Sequence, residues 1–470
     1  MSRLRLSCAL CTLVLAGCAL GPDYVRPQIA APAQYKETDG WSLAAPADHI
    51  PRTAWWTVFD DPDLDRLEAQ LDRNNPTIIE AEAQYRQAIA LLQEAQAGFF
   101  PTIGANVGAG KSRSIGSSNN GNGSNGVVAQ SYTASLSASW EVDLWGGVRR
   151  AIEAGKASEA ASAANLANIK LSEQAALAIA YLELYVSDNL KRVADETVAA
   201  YQQQLQIEKN NFAVGVAGEA DVLQVQNALE TAQVQAGAQS LQRDELEHSI
   251  AVLVGESPSS FSIGVRSRAP HLPVIPAGVP SQLLQRRPDI AQAERQVAEA
   301  NAEIGVAKAA FFPTLTLSAS DGFSASSLAN WFSMPSRVWS VGPALAGTLF
   351  DGGLRRAQSD AAIAAYDQNV ANYRQTVLTA FQSVEDNLAA QRILREEARH
   401  QHQAVDAAHQ SARITLNQYH AGTVGMLNVL EANVTLLSNQ SSEFGVLNNQ
   451  LTTAVGLIKA LGGGYQQPGS

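Results

Sequence analysis

The sequence predicts a mainly α-helical chain with a small transmembrane β part, in two tandem repeats of helix, strand, strand, long helix, turn and helix. Three observations carry that reading. Two long stretches almost free of glycine and proline have the composition of rods. Four short stretches alternate apolar and polar residues with period two. The same punctuation then returns in the second half, Phe311-Phe312-Pro313 answering Phe99-Phe100-Pro101 from 212 positions on.

Between Gly353 and Gly422 there is neither Gly nor Pro, and Ala, Gln, Leu, Val, Arg and Glu dominate. Over so long a window helix propensity is informative. Tyr366, Val370, Tyr373, Val377, Ala380, Val384 and Leu388 recur at spacings of four and three, the seam of a coiled coil. At about 1.5 Å per residue the rod is on the order of 100 Å long. Residues 147–215 repeat the design, with Gly155 as the one interior glycine and Leu177, Tyr181 and Leu184 on one face.

The formal charge of -12, with no Lys/Arg cluster, argues against a nucleic-acid partner. Residues 1–17 read as a signal peptide: Arg3 and Arg5, an apolar stretch, then Leu15-Ala16-Gly17-Cys18, small residues before a cysteine. That pattern matches a bacterial lipobox and implies cleavage before Cys18 and its acylation. Several acyl chains, at roughly 0.8 kcal/mol per buried CH₂, hold a protein stably on a membrane. Cys8 and Cys11 leave with the signal, so the mature chain has no internal disulfide.

Residues 18–60 are read as the lipid anchor and an extended, Pro- and Ala-rich strap, closing on the apolar plug Trp55-Trp56-Thr57-Val58-Phe59. The first repeat spans 61–256, with helix starts at Asp61-Pro62 and Asn75-Pro76 and strands at about 101–111 and 130–143. In the second strand Tyr132, Ala134, Leu136, Ala138, Trp140 and Val142 alternate against Ser, Thr and acidic residues. A polar Ser/Asn/Gly loop lies between the two strands. A linker at 257–280 leads to the second repeat, 281–462, with strands at about 313–321 and 338–350, and 463–470 is a loose tail.

Strands of this length, each with one apolar face, suit a tilted bilayer span, and Tyr132, Trp140 and Trp339 suit an interfacial girdle. In lipid an open sheet edge leaves N–H and C=O groups unpaired at several kcal/mol each. Four strands cannot close around anything, so the sheet must be completed by further copies.

These residues resemble the outer membrane factor (TolC-like) family, and within it the NodT lipoprotein branch. The resemblance is carried by Gly17-Cys18, Gly21-Pro22-Asp23-Tyr24, Pro27, Trp55-Trp56, Phe59, Asp61-Pro62 and Leu64. It continues in Leu283-Leu284-Gln285-Arg286-Arg287-Pro288-Asp289-Ile290, Phe312-Pro313, Phe350-Asp351-Gly352-Gly353 and Ala460-Leu461-Gly462-Gly463-Gly464. It covers essentially the mature chain. It implies a homotrimer whose 12-stranded β-barrel lies in the outer membrane and continues into a long periplasmic α-helical barrel. It also implies a periplasmic adaptor (membrane fusion protein), an inner-membrane efflux pump of RND type, and a passive exit duct for small toxic compounds or drugs.

The turns at 214–219 and 421–426 carry Gly215, Gly218, Gly422 and Gly425, and the resemblance makes them adaptor-docking tips. Just past the second turn, Leu427 and Glu431 are four apart and share a helix face, at positions where the family's constriction has a leucine and a carboxylate. Asp221 and Gln224 lie near the same level in the first repeat. Three copies of Glu431 converging on an axis repel one another, so opening depends on protonation, cations and salt. Val434 stands where some members carry a basic residue, which leaves an intersubunit salt-bridge lock without its cation here.

Other signals carry no chemistry. Gly108-Ala109-Gly110-Lys111-Ser112 ends like a phosphate loop, but Ala105 stands at the first Gly position and the segment reads as strand. His400, His402 and His409 are not at chelating spacings on a helix, so no metal and no cofactor is expected. The one mature cysteine is consumed by the anchor, so no enzyme is expected. A structural periplasmic adaptor is the reading of another class, and it lacks the β-domain it would need.

Overall fold

The computed structural model describes residues 19–29, 35–37, 54–114, 127–266, 269–273, 275 and 286–463. The signal segment, Cys18, much of the strap, part of the linker and the tail after Gly463 lie outside these. In chain order the described elements are α1 (Pro62–Asn74), α2 (Pro76–Ala97), β1 (Thr102–Ser114), β2 (Val127–Val142), α3 (Gly147–Ala213) and α4 (Glu219–Leu253). The second half supplies α5 (Pro288–Ala309), β3 (Thr314–Ala325), β4 (Arg337–Ala346), α6 (Leu354–His420) and α7 (Met426–Ala460). The duplication is metrical: α3 and α6 are each 67 residues long, α4 and α7 each 35. None of the described helices is long and apolar enough to cross a membrane.

The chain divides into two compact units. One contains residues 85–162 and 292–373 with the N-terminal segment to Gln28; the other holds 29–84, 163–291 and 374–470.

The first unit carries a four-stranded antiparallel sheet in the order β1-β2-β3-β4. Its register places Ile103, Ala105 and Val107 opposite Ala138, Leu136 and Ala134, and Trp140 opposite Leu317. One face is therefore apolar along the Ile103–Val107 stretch of β1 and its partners, and it is exposed: Ile103, Val107, Leu136, Trp339, Val341 and Leu345 all present more than half their area. Ser and Thr line the other face. β4 stops at Ala346, short of the 350 that alternation alone suggests, because its partner strand begins at Thr314 directly after Pro313, which has no N–H to continue the ladder. Below the sheet the N-terminal segment is clamped to the helices. The Arg150 guanidinium donates to the carbonyl of Leu20 at 3.1 Å and to Asp23 at 2.8 Å, and Asn301 donates to the carbonyl of Pro22. Gly21 lies so close to Gly305 that a Cβ on it would meet the Gly305 backbone at 2.6 Å.

The second unit is a helical core. The seam is buried over its later part: Val377, Ala380, Val384 and Leu388 on α6, and Leu177, Tyr181 and Leu184 on α3, are all at or near zero exposure, whereas Tyr366 and Val370 at its start are half-buried. Asp61 caps α1 by accepting from the N–H groups of Asp63 and Leu64, with Pro62 at the first helical position. Asn75 caps α2 through Ile78 N–H at 3.0 Å and donates to the Leu253 carbonyl at 2.9 Å. The linker's start is pinned by Arg266, whose guanidinium reaches Asp61 at 2.7 Å and lies 4.1 Å over the Tyr181 ring. Glu68 stands out in this core: it is fully buried and neither carboxylate oxygen has a hydrogen-bond partner among the described residues. Burial, then the nearby Asp72 and Asp65, push its carboxyl well above the usual range.

Candidate functional site

The hairpin tips of the helical unit repeat one backbone design. At the end of α3, Gly215 takes φ of 75°, its N–H bonding the Phe212 carbonyl and Val216 N–H bonding that of Asn211. At the end of α6, Gly422 takes φ of 71°, with Gly422 and Thr423 N–H bonding the carbonyls of Tyr419 and Gln418. Each is a helix stop that needs a left-handed residue. Gly218 and Gly425 do a different job. Their φ values of -86° and -81° are ordinary extended backbone, and each is the residue from which the return helix starts. All four glycines singled out in the sequence thus lie in the two turns. Gly215 and Gly422 have open space around the missing Cβ, so neither turn is wrapped by the rest of the chain.

Beyond the second turn, α7 has two faces. Met426, Val429 and Leu430 are buried in a small apolar cluster with Tyr201, Leu205, Val225 and Leu229. Leu427 and Val434 face away from that cluster with more than half their area exposed, and Glu431 is exposed between them. The Glu431 carboxylate has no hydrogen bond or ion pair among the described residues. The structure therefore brings Leu427 and Glu431 together on one unpartnered stripe. It places the first-repeat pair differently. Gln224 is exposed and, counted from the capping glycine, occupies the place of Glu431. Asp221 is engaged locally: its carboxylate accepts the Gly218 N–H at 2.9 Å and so caps α4.

One group the sequence reading missed sits beside the tips. The Tyr419 hydroxyl donates to Glu208 Oε1, Asn211 donates to the Tyr419 oxygen at 3.4 Å, and Gln204 donates to Glu208 at 3.3 Å. Glu208 is almost wholly buried, on α3, so this cluster ties the end of α6 to the end of α3. Burial first, then the hydrogen bond and charge of Glu208, push the Tyr419 hydroxyl up to about 12, so it stays a donor at any physiological pH. The repeat held a signal for it: tyrosine at 419 replaces Phe212 of the first copy, and a buried hydroxyl needs a partner.

Among the described residues no group of three or more His, Cys, Asp or Glu is arranged to hold a metal ion. His402 instead bonds Glu443 across α6 and α7 at 2.8 Å.

The comparisons with known proteins agree with this anatomy. The family model described as outer membrane efflux protein matches residues 68–256 and 279–463, one match to each repeat. The chain is 32% identical over 473 residues to the probable efflux pump outer membrane protein TtgC of Pseudomonas putida, covering 100% of this chain and 97% of that one. It is 32% identical over 470 residues to the pyoverdine export outer membrane protein OpmQ of Pseudomonas aeruginosa, covering 99% and 98%. The solved outer-membrane channel OprN superposes with a TM-score of 0.87 at 29% identity, covering 95% of this chain and 99% of that one. The fold is that of the trimeric TolC-like channels, in which three four-stranded sheets close one barrel of twelve strands. Two helical repeats, a sheet with a lipid-ready face and open edges, and these matches place the chain in the outer membrane efflux protein family, as the outer-membrane exit duct of an efflux system.

Proposed function

We propose that this duct is passive and rests closed at its periplasmic hairpin tips, and that an adaptor and an inner-membrane pump supply the energy that opens it. The observation that carries the reading is the stripe of Leu427 and Glu431, exposed and unpartnered among the described residues, on the side of α7 opposite its packed face. Around a threefold axis, three such stripes form a ring of apolar side chains beside a ring of carboxylates. The first constricts, and the second, when a cation bridges its three carboxylates, draws the tips together, so that loss of the carboxylates loses the bridge. The Tyr419–Glu208 tie holds each pair of hairpins together beside that ring. The exposed turns around Gly215, Gly218, Gly422 and Gly425 are the surface offered to the adaptor. RND-type pumps are the partner class the family resemblance favours. Cys18, outside the described residues, is the proposed acylation site. The relatives named for efflux and for pyoverdine export support small organic cargo, selected by the pump and not by the duct. No catalysis is assigned to the chain.

Single-channel conductance in planar bilayers tests the gate. A mostly closed wild type beside a frequently open, large-conductance Glu431→Ala protein is the expected result. An open wild type that the substitution leaves unchanged removes Glu431 from the gate and keeps the pore. A well-folded trimer that conducts in neither form would sink the duct reading.

A further inference from the structure

The lookalike phosphate loop has a second meaning once the strand register is known. In β1, residues 103, 105, 107, 109, 111 and 113 share a face, and the pairing sets Lys111 opposite Gln130 and Arg113 opposite Val128. Both cations therefore project from the apolar face of the sheet, in line with the exposed Ile103 and Val107. Both are exposed, and neither makes an ion pair among the described residues. The acid on this face is Asp321, held in a two-pronged pair by Arg337 at 2.9 and 3.2 Å. The connecting residues 115–126 and 326–336 contain no Asp, Glu, Lys or Arg. On a chain of net charge -12, the hairpin end of the apolar face is thus locally and uncompensatedly positive.

Aromatic rings set the level of those charges. Tyr132 packs on Trp331 at 5.7 Å, Trp331 stacks on Phe332 at 4.8 Å, and Phe332 meets Phe323 at 5.5 Å. Tyr132 and Phe323 belong to the apolar face, so this cluster lies on it. Aromatic clusters of this kind sit at the boundary between hydrocarbon and headgroups. Tyr132 pairs with Ala109. Lys111 and Arg113 follow two and four residues on, roughly 7 and 13 Å beyond that level at about 3.3 Å per residue. Toward the helices from that level lies a shallow groove of about 420 Å³, its apolar wall made by Ile103, Leu136, Trp339 and Val341 and its other wall by the mutually neutralised Asp321–Arg337 pair.

We infer that Lys111 and Arg113 form a binding surface for a phosphorylated lipid of the outer leaflet, its acyl chains on the groove and its phosphates on the two cations. A soluble anion would gain nothing from the apolar face, and a neutral lipid nothing from the charges. The inference rests on the barrel reading, in which this face is turned to lipid.

The test is native mass spectrometry of the full trimer with added lipid A, either bis-phosphorylated or dephosphorylated. Wild type should carry the bis-phosphorylated form, and the Lys111→Gln, Arg113→Gln protein should bind it about tenfold more weakly, with a shallower dependence on salt. Asp321→Asn, which releases Arg337, should bind it more tightly. Equal binding by wild type and double variant overturns the inference, as does equal binding of the dephosphorylated lipid or displacement by millimolar inorganic phosphate. Conductance in neutral bilayers separates the two readings. Channels from both proteins with no difference in lipid binding sink this inference alone; absence of trimer and channels in both sinks the barrel reading and the inference with it.

Discussion

The two hairpin tips are copies of one backbone design whose side chains have diverged, most consequentially in their carboxylates. Backbone geometry is kept: a left-handed glycine stops the long helix, and a second glycine starts the return helix. The carboxylates have parted company. In the first tip Asp221 bends back onto the Gly218 N–H. In the second, Asn428 stands at the corresponding place without a side-chain cap, and the acid appears as Glu431, exposed one turn further on. Duplication preserved what the turn requires and released what it does not, so the acid of one tip is spent on a cap and that of the other is left exposed.

The tie between them gives the largest expected effect after Glu431 itself. Tyr419→Phe removes the donor from a buried carboxylate, a change that costs about 1–3 kcal/mol when a buried group is left unsatisfied. The expected outcome is a higher open probability than wild type and a lower melting temperature; a closed channel of unchanged stability would mean that the second tip needs no tie to the first. The phenol keeps its proton in the folded state up to about 12, so this contribution is present below the ordinary tyrosine range and is lost only as pH rises through it toward about 12.

A second contrast sharpens the first. Glu208 is buried with partners, whereas Glu68 is buried without them. A carboxyl whose folded pKa is raised binds its proton more tightly in the folded state. Its effect on stability is therefore neutral in acid and grows unfavourable as pH rises above the unfolded value. Glu68→Gln should raise the melting temperature by a few degrees at slightly alkaline pH and by less near about pH 5. A shift of the same size at both would show that the carboxyl is not the cause.

Next come the glycines, where the same change at two sites should separate their jobs. Gly422→Ala places a Cβ at positive φ and costs about 1–2 kcal/mol, whereas Gly425→Ala, at extended φ, costs less than half of that. Thermal melts of the two proteins decide it, and equal losses would break the distinction between stop and cap. The smallest effect is expected at Asp221→Ala: loss of one cap, about 1 kcal/mol, with open probability unchanged. A channel opened by that substitution would return Asp221 to the gate.

Much of this was legible because it is local. Asp61 before Pro62, Asn75 before Pro76 and Gly at 215 and 422 each determine backbone geometry within a few residues, and the spacing of Val377, Ala380, Val384 and Leu388 states which face of a helix is buried. Alternation from Tyr132 to Val142 likewise states which face of the strand is apolar. Such features depend on steric limits and periodicity, which belong to the chain itself. The Tyr419–Glu208 bond joins residues 211 apart, and no local rule pairs them. The use of Asp221 as a cap turned on a rotamer and a hydrogen bond. The meaning of Lys111 and Arg113 turned on register, because a shift of one residue would have moved both cations to the polar face. Sequence by itself determined the elements, the duplication and the need for further copies, since propensity and unpaired sheet edges are properties of segments. Tertiary structure alone decided which side chains meet, because contacts between distant residues depend on how the segments pack.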